Sequence, residues 1–209
     1  KLDSYDDENF LVLISGVPHL CKVHNGVESD SPAVIDYQNR IMLHLNEAPG
    51  VRTTEPLKTA AGELSVTLPL PVLSAAHSPH PLTVRLLTYI PGTPLAYTPV
   101  SPPLLESCGA YLAEVDRALD GFEHPAADRF HIWCTEHTLA LRPFLEHVQT
   151  DARRALVASV VARFESEVLP AAGEFRRAVL QSDFNDANVI VGEDGEIAGV
   201  IDFGDSVRR

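Results

Sequence analysis

The sequence predicts an α+β fold in two lobes: a small α+β lobe over residues 1–89 and a helical lobe over residues 90–209. Three observations predict it. Short apolar runs broken by Gly and Pro fill the first part, with one helical stripe among them. Helical spacing takes over from Ser101. The chain then closes on two apolar runs around Asp194-Gly195. They lie between Gln181-Ser182-Asp183-Phe184-Asn185-Asp186-Ala187-Asn188 and Val200-Ile201-Asp202-Phe203-Gly204-Asp205.

In chain order, Asn9 to Ile14 and Val17 to Val23 read as strands joined at Gly16-Val17-Pro18. The second carries Lys22 between apolar neighbours. A helix follows. Asp30 or Ser31 caps it, Pro32 suits its first turn, and Val34, Ile35, Ile41, Met42 and Leu45 form its apolar stripe. Gln38 falls on that stripe and is expected to face Lys22, while Asp36 points away; Gly50 ends the element. Leu64 to Leu70 and Leu82 to Tyr89 read as strands around a Pro/Ser/His loop from Pro69 to Pro81, and Ile90-Pro91-Gly92 breaks the second. Ser101-Pro102-Pro103 opens a helix with Leu105, Cys108, Leu112, Val115 and Leu119 inward. Another runs from about Asp151, with Leu156, Val160, Phe164 and Val168 inward.

The chain of 209 residues is 45% hydrophobic, with a mean hydropathy of +0.01. No run approaches the ~20 apolar residues of a membrane span. A formal charge of −13 argues against nucleic acid and anionic membranes as partners and suits a small cationic substrate. The start, Lys1 to Asp7, has no initiator Met and does not read as a signal peptide. Cys21, Cys108 and Cys134 stand in no metal spacing and fit a reducing, cytoplasmic setting. The nine His, among them His77, His80, His131 and His137, form no ligand constellation in the sequence.

Asp194-Gly195 signals a two-residue hairpin, because both turn positions favour φ > 0. Folding there sets Asn188 opposite Ile201 and Ala187 opposite Asp202. Asn188 and Asp202 then converge at the open end of the hairpin, with Asp183 just upstream. An amide oxygen beside a carboxylate is the hard donor set that Mg²⁺ takes when it also holds nucleotide phosphates. An Asp, an Asn five residues on, and a strand ending in Asp-Phe-Gly is the layout of a phosphotransfer site.

With these residues in view, the chain resembles the aminoglycoside phosphotransferase (choline kinase-like) branch of the protein-kinase-like fold, and within it the hydroxylysine kinase subfamily. The matching segments are Ser4-Tyr5-Asp6-Asp7-Glu8-Asn9-Phe10, Val84-Arg85-Leu86-Leu87-Thr88-Tyr89-Ile90-Pro91-Gly92, Pro99-Val100-Ser101-Pro102, Phe122-Glu123-His124-Pro125 and the Asp183 to Asn188 loop. The resemblance implies transfer of a γ-phosphoryl group from GTP or ATP to the hydroxyl of 5-hydroxy-L-lysine. Choline, ethanolamine or homoserine as acceptor, or a nucleotide-binding fragment impaired in turnover, stay open as alternatives.

The resemblance also implies roles. Asp183 orients the acceptor hydroxyl, Asn188 and Asp202 hold Mg²⁺, and Lys22 contacts the α/β-phosphates. Ser4 and Tyr5 belong to a segment, Ser4 to Asn9, in the place of the phosphate loop but without Gly. Leu87, Thr88 and Tyr89 meet the base through backbone groups. Three departures stand out. Gln181-Ser182 replaces the family's His-Gly, Gln38 stands where kinases carry Glu, and the chain stops at Arg209 where family members continue with several helices. Bare apolar surface is expected where those helices pack.

Overall fold

The computed structural model describes residues 1–69 and 81–209, apart from Asp3 and Asp6. His77, His80 and most of the Pro69–Pro81 loop lie outside the described residues. Strands β1 (Glu8–Ile14) and β2 (Val17–Val23) pair antiparallel from Glu8↔Val23 to Ile14↔Val17. The reversal is Ser15-Gly16, both left-handed (φ 51 and 81), rather than Gly16 to Pro18. That matches a two-residue turn whose twist suits the flanking strands. After β2 come α1 (Gly26–Ser29), a single turn that no sequence signal announced, and α2 (Pro32–Asn46). β3 (Val66–Leu68) and β4 (Leu82–Thr88) complete an antiparallel sheet in the order β1-β2-β4-β3.

Helix α2 has the predicted phase, with Ile35, Gln38, Ile41, Met42 and Leu45 buried. It buries Tyr37 and Asn39 as well, because a second neighbour covers another face. The Tyr37 ring lies 5.3 Å from that of His124 and 6.3 Å from that of Phe122. One core accordingly spans both ends of the chain, joining Tyr37, Ile41, Met42, Leu45 and Leu87 to Val115, Leu119, Val179, Val200 and Phe203.

A second sheet joins β5 (Thr93–Pro94), β7 (Val189–Val191) and β8 (Ile197–Val200); β6 (Val179–Leu180) and β9 (Val207–Arg208) form a two-stranded ribbon. The stretch 51–57 ties the first two sheets together. Thr53 bridges to Val200 on β8 and Pro56 to Leu87 on β4. Gly92 permits the close approach of the Pro91-Gly92 turn to β7. A Cβ there would lie 2.4 Å from the Val191 carbonyl oxygen, and its φ of +145° is a glycine conformation.

Two helices depart from their predicted faces. In α3 (Pro102–Ala118), capped by Ser101 Oγ, Leu104, Cys108 and Val115 are buried with Leu119 just beyond. Leu105 is exposed, so the stripe starts one residue earlier than the spacing suggested. In α4 (Asp151–Arg163), Leu156 and Val160 are 64% and 57% exposed and only Val161 is buried. Phe164 and Val168 are half-buried in a π-helical turn over 164–168. The stripe is helical, but among the described residues nothing covers it.

Candidate active site

The hairpin reaches the predicted pairing by an unpredicted route. Val189 pairs with Val200, Ile190 with Gly199, and the Ile201 N–H donates to the Asn188 carbonyl at 2.9 Å. The loop, however, has three residues, Glu193-Asp194-Gly195, closed by Gly192 N–H to Glu196 O at 2.8 Å. Only Gly195 is left-handed, with φ 82. The extra loop residue shifts the pairing by one, to Val191↔Ile197, and a bulge at Ala198 shifts it back. The two departures cancel, and Asn188 arrives where a two-residue turn would have placed it.

Upstream, the loop is stapled by its own amides. Asp183 Oδ2 accepts from Asn188 Nδ2 at 2.7 Å, and Oδ1 accepts from Asn185 Nδ2 at 2.8 Å. Asn185 Oδ1 in turn accepts the N–H groups of Ala187 and Asn188. Asn188 spends its amide nitrogen on Asp183, which leaves its oxygen for a cation. Gln181 is fully buried. Its Nε2 donates to the Asp202 carbonyl at 2.7 Å and its Oε1 accepts the Asp183 N–H at 2.7 Å. Ser182 and Asp202 are left-handed, with φ 72 and 60. Such conformations cost about 1–2 kcal/mol per non-glycine residue and are held by the surrounding hydrogen bonds.

The charged part of the cleft centres on Lys22. Its Nζ lies 3.0 Å from Asp7 Oδ2 and 3.4 Å from Asp202 Oδ2. Burial pushes the Lys22 ammonium down, but Asp202 and Asp7 outweigh burial and the nearby Arg85, and hold it above its ordinary value. Burial likewise pushes the Asp7 carboxyl up, yet its hydrogen bond to His24 and the Lys22 charge bring it well below the usual carboxylate range. Asp202 is lowered in the same way, against burial, by Lys22 and by the Gly204 N–H at 3.0 Å. The Asp202 side chain remains 42% exposed, so this ion pair is partly screened.

Other predicted residues fall as follows. Leu2 N–H donates to Asn9 O at 2.8 Å, so the segment carrying Ser4 and Tyr5 doubles back beside β1. Ser4 and Tyr5 point to solvent. Gln38 turns inward but meets Arg85, not Lys22: Arg85 Nη2 donates to Gln38 Oε1 at 2.6 Å, and Nη1 to Asn39 Oδ1 at 2.8 Å. Asp36 stays outside on Arg40 and His124. Leu87 is buried on β4, and the Thr88 N–H donates to Glu55 O at 2.9 Å, which removes it from contact with a base. Tyr89 lies just past the strand end.

Sequence reasoning missed Asp7, His24, Glu28 and Arg85. An Arg in the middle of an apolar strand, Val84-Arg85-Leu86-Leu87, was the available signal, since such a residue needs buried acceptors. The atoms of Asp7, His24 and Glu28 lie within 4.8 Å of one another, a ligand-type cluster the His spacing had not suggested. Its facing atoms are nonetheless already engaged, although the buried His24 Nε2 has no partner among the described residues. His24 Nδ1 and Glu28 Oε2 are 2.5 Å apart, a hydrogen-bond distance, and the Lys22 ammonium supplies the cation on Asp7. Asn188 and Asp202 suit Mg²⁺ better, offering an amide oxygen and a half-exposed carboxylate.

The sequence profile of the APH phosphotransferase enzyme family matches residues 2–208. Hydroxylysine kinase of Mus musculus is 30% identical and that of Danio rerio 33% identical, each over 98% of this chain. The matches take up 58% and 59% of those two proteins, so the chain spans less than two thirds of their length. Among solved structures, a microcompartment-associated aminopropanol kinase aligns with a TM-score of 0.70 at 19% identity, covering 97% of this chain and 65% of that one. A complex of aminoglycoside phosphotransferase APH(4)-Ia with ADP and hygromycin B aligns with a TM-score of 0.61 at 16% identity, covering 100% and 66%. The fold is therefore the α+β, protein-kinase-like fold of the aminoglycoside phosphotransferases.

Proposed function

The chain belongs to the APH phosphotransferase enzyme family, and from that premise we propose that it is the nucleotide- and metal-holding part of a small-molecule kinase. The reaction moves the γ-phosphoryl group of GTP or ATP to the hydroxyl of an amino alcohol, and 5-hydroxy-L-lysine is the acceptor we assign, because the relatives it matches are named hydroxylysine kinases. The observation that carries this reading is the linkage of distant residues. Lys22 pairs with Asp202, whose carbonyl is tied through Gln181 to Asp183, which is tied to Asn188.

Asp183 accepts a hydrogen bond from the acceptor hydroxyl. Each of its oxygens already takes one amide N–H and keeps a further lone pair. As the hydroxyl oxygen bonds to the γ-phosphorus, the bond from that phosphorus to the β–γ bridging oxygen breaks. The nucleoside diphosphate leaves, and the hydroxyl proton passes to Asp183 and then to water. Lys22 attracts the α/β-phosphates. Mg²⁺, held by Asn188 and Asp202, neutralises phosphate charge when bound. Ser4 and Tyr5, on the doubled-back segment, cover the phosphates, and Tyr89, past the end of β4, is placed to meet the base. The division into 1–89 and 90–209 is one of role, donor binding against acceptor and metal. No helix among the described residues is long and apolar enough to cross a membrane. A cytoplasmic setting and a small cationic partner fit the charge of −13.

The test is nucleoside diphosphate release by this chain and by a form as long as its relatives, with hydroxylysine, lysine and ethanolamine as acceptors. Hydroxylysine-dependent release by the longer form is expected, with far less from this chain, because an unconfined acceptor loses several kcal/mol of positioning advantage. Preference for ethanolamine would reassign the acceptor, and no acceptor-dependent release by either form would sink the proposal.

A further inference from the structure

We propose that Asp7, on the loop between Leu2 and Asn9, is the positioning residue that holds Lys22 for the donor phosphates, in place of a carboxylate on α2. This inference rests on the phosphotransferase reading. Kinases set the equivalent lysine with a helix glutamate. Here the inward helix residue is the amide Gln38, and its oxygen is taken by Arg85. Arg85 stands opposite Lys22 in the β2–β4 ladder and carries the helix-to-sheet link itself.

Two carboxylates remain for Lys22, and they are unequal. Asp7 is at 3.0 Å with 7% of its side chain exposed, and Asp202 is at 3.4 Å with 42% exposed. The Asp7 contact is the shorter of the two and its side chain the less exposed. Asp7 is also clamped from behind. Its Oδ1 accepts the backbone N–H of Asn25 at 2.9 Å and the Asn25 side-chain amide at 3.2 Å. Its Oδ2 lies 3.4 Å from His24 Nδ1, the same nitrogen that Glu28 Oε2 meets at 2.5 Å. Both Asp7 oxygens therefore face protein donors, and Lys22 neutralises the charge. An acidic loop in the place of a glycine-rich one becomes compatible with a triphosphate. Asp7 shares the ammonium with Asp202, which keeps part of its carboxylate exposed to the cleft.

Binding of Mg·GTP and Mg·ATP is measured by calorimetry, and binding of guanosine and adenosine by ligand-observed NMR. The samples are the wild-type chain, Asp7→Asn, Asn25→Ala, which loosens Asp7 without removing its charge, and Asp36→Asn as a surface control. Asp7→Asn is expected to weaken triphosphate binding about tenfold, or ~1.4 kcal/mol, and to leave nucleoside binding unchanged. Asn25→Ala should act in the same direction and less, and Asp36→Asn not at all. A merely structural role for Asp7 would weaken nucleoside and triphosphate binding together. Triphosphate binding equal to or tighter than wild type in Asp7→Asn would overturn the inference while leaving the kinase reading intact. A wild-type chain that binds neither triphosphate nor nucleoside would remove the reading, and the inference with it.

Discussion

The buried side chain of Gln181 donates to the carbonyl of Asp202 at 2.7 Å while it accepts the N–H of Asp183 at 2.7 Å. One residue thus spaces the proposed catalytic carboxylate from the proposed metal ligand. The amide of Gln181 supplies one donor and one acceptor and so cross-links the loop. Gln181→Ala should leave the Asp202 carbonyl and the Asp183 N–H, both part-buried, without these partners and empty the space of a fully buried side chain. A loss of about 2–4 kcal/mol is expected in denaturant melts, since each orphaned group costs ~1–3 kcal/mol. A loss below 0.5 kcal/mol would show that the bridge is incidental.

Ser182, next in the chain, sits at φ 72. Ser182→Gly removes the side-chain penalty of the left-handed region and should stabilise the chain by about 1 kcal/mol, or roughly 2–4 °C in Tm for a protein of this size. Ser182→Val should destabilise it. If glycine lowers Tm instead, the weak bond from Ser182 Oγ to the Leu180 carbonyl, 3.3 Å long, outweighs the backbone strain.

Asp183→Asn keeps the shape of the loop and removes the proton acceptor. In the longer form, kcat should fall by about 10²–10⁴-fold, the range of general-base catalysis, with nucleotide affinity nearly unchanged. Equal kcat in variant and wild type would remove Asp183 from the reaction.

Asp7 gives the stability a defined pH dependence. Its folded carboxyl lies below the ordinary value of ~3.9, so its contribution is complete above that value and is lost as pH falls toward the folded one. At pH 7, Asp7→Asn should cost about 2 kcal/mol, less than the ~3–5 of a fully broken buried pair, because Asp202 still faces Lys22. The gap between variant and wild type should narrow from about pH 4 downward. A gap that widens on acidification would contradict the sign.

The bare stripe on α4 separates helical pattern from burial. Leu156→Ser with Val160→Ser should change stability by no more than about 0.5 kcal/mol, while Val161→Ala should cost about 1–2 kcal/mol. A large loss from the serine pair would mean that the exposed face is covered in solution.

The sequence alone determined the main strands and helices and much of the candidate site, because those signals are local. Short apolar runs between Gly and Pro marked β1, β2 and β4, the phase of α2 placed Gln38 inside and Asp36 outside, and the Asp183–Asn188–Asp202 set followed from spacing and a hairpin. Tertiary structure alone decided the partners. Lys22 could pair with any carboxylate brought within 4 Å, and the choice of Asp7 over a residue on α2 depended on Arg85 taking Gln38 from the neighbouring strand. The hairpin register depended on a bulge that no residue type announces. Leu156 and Val160 have helical spacing but no cover, because periodicity describes one helix and burial requires a second surface.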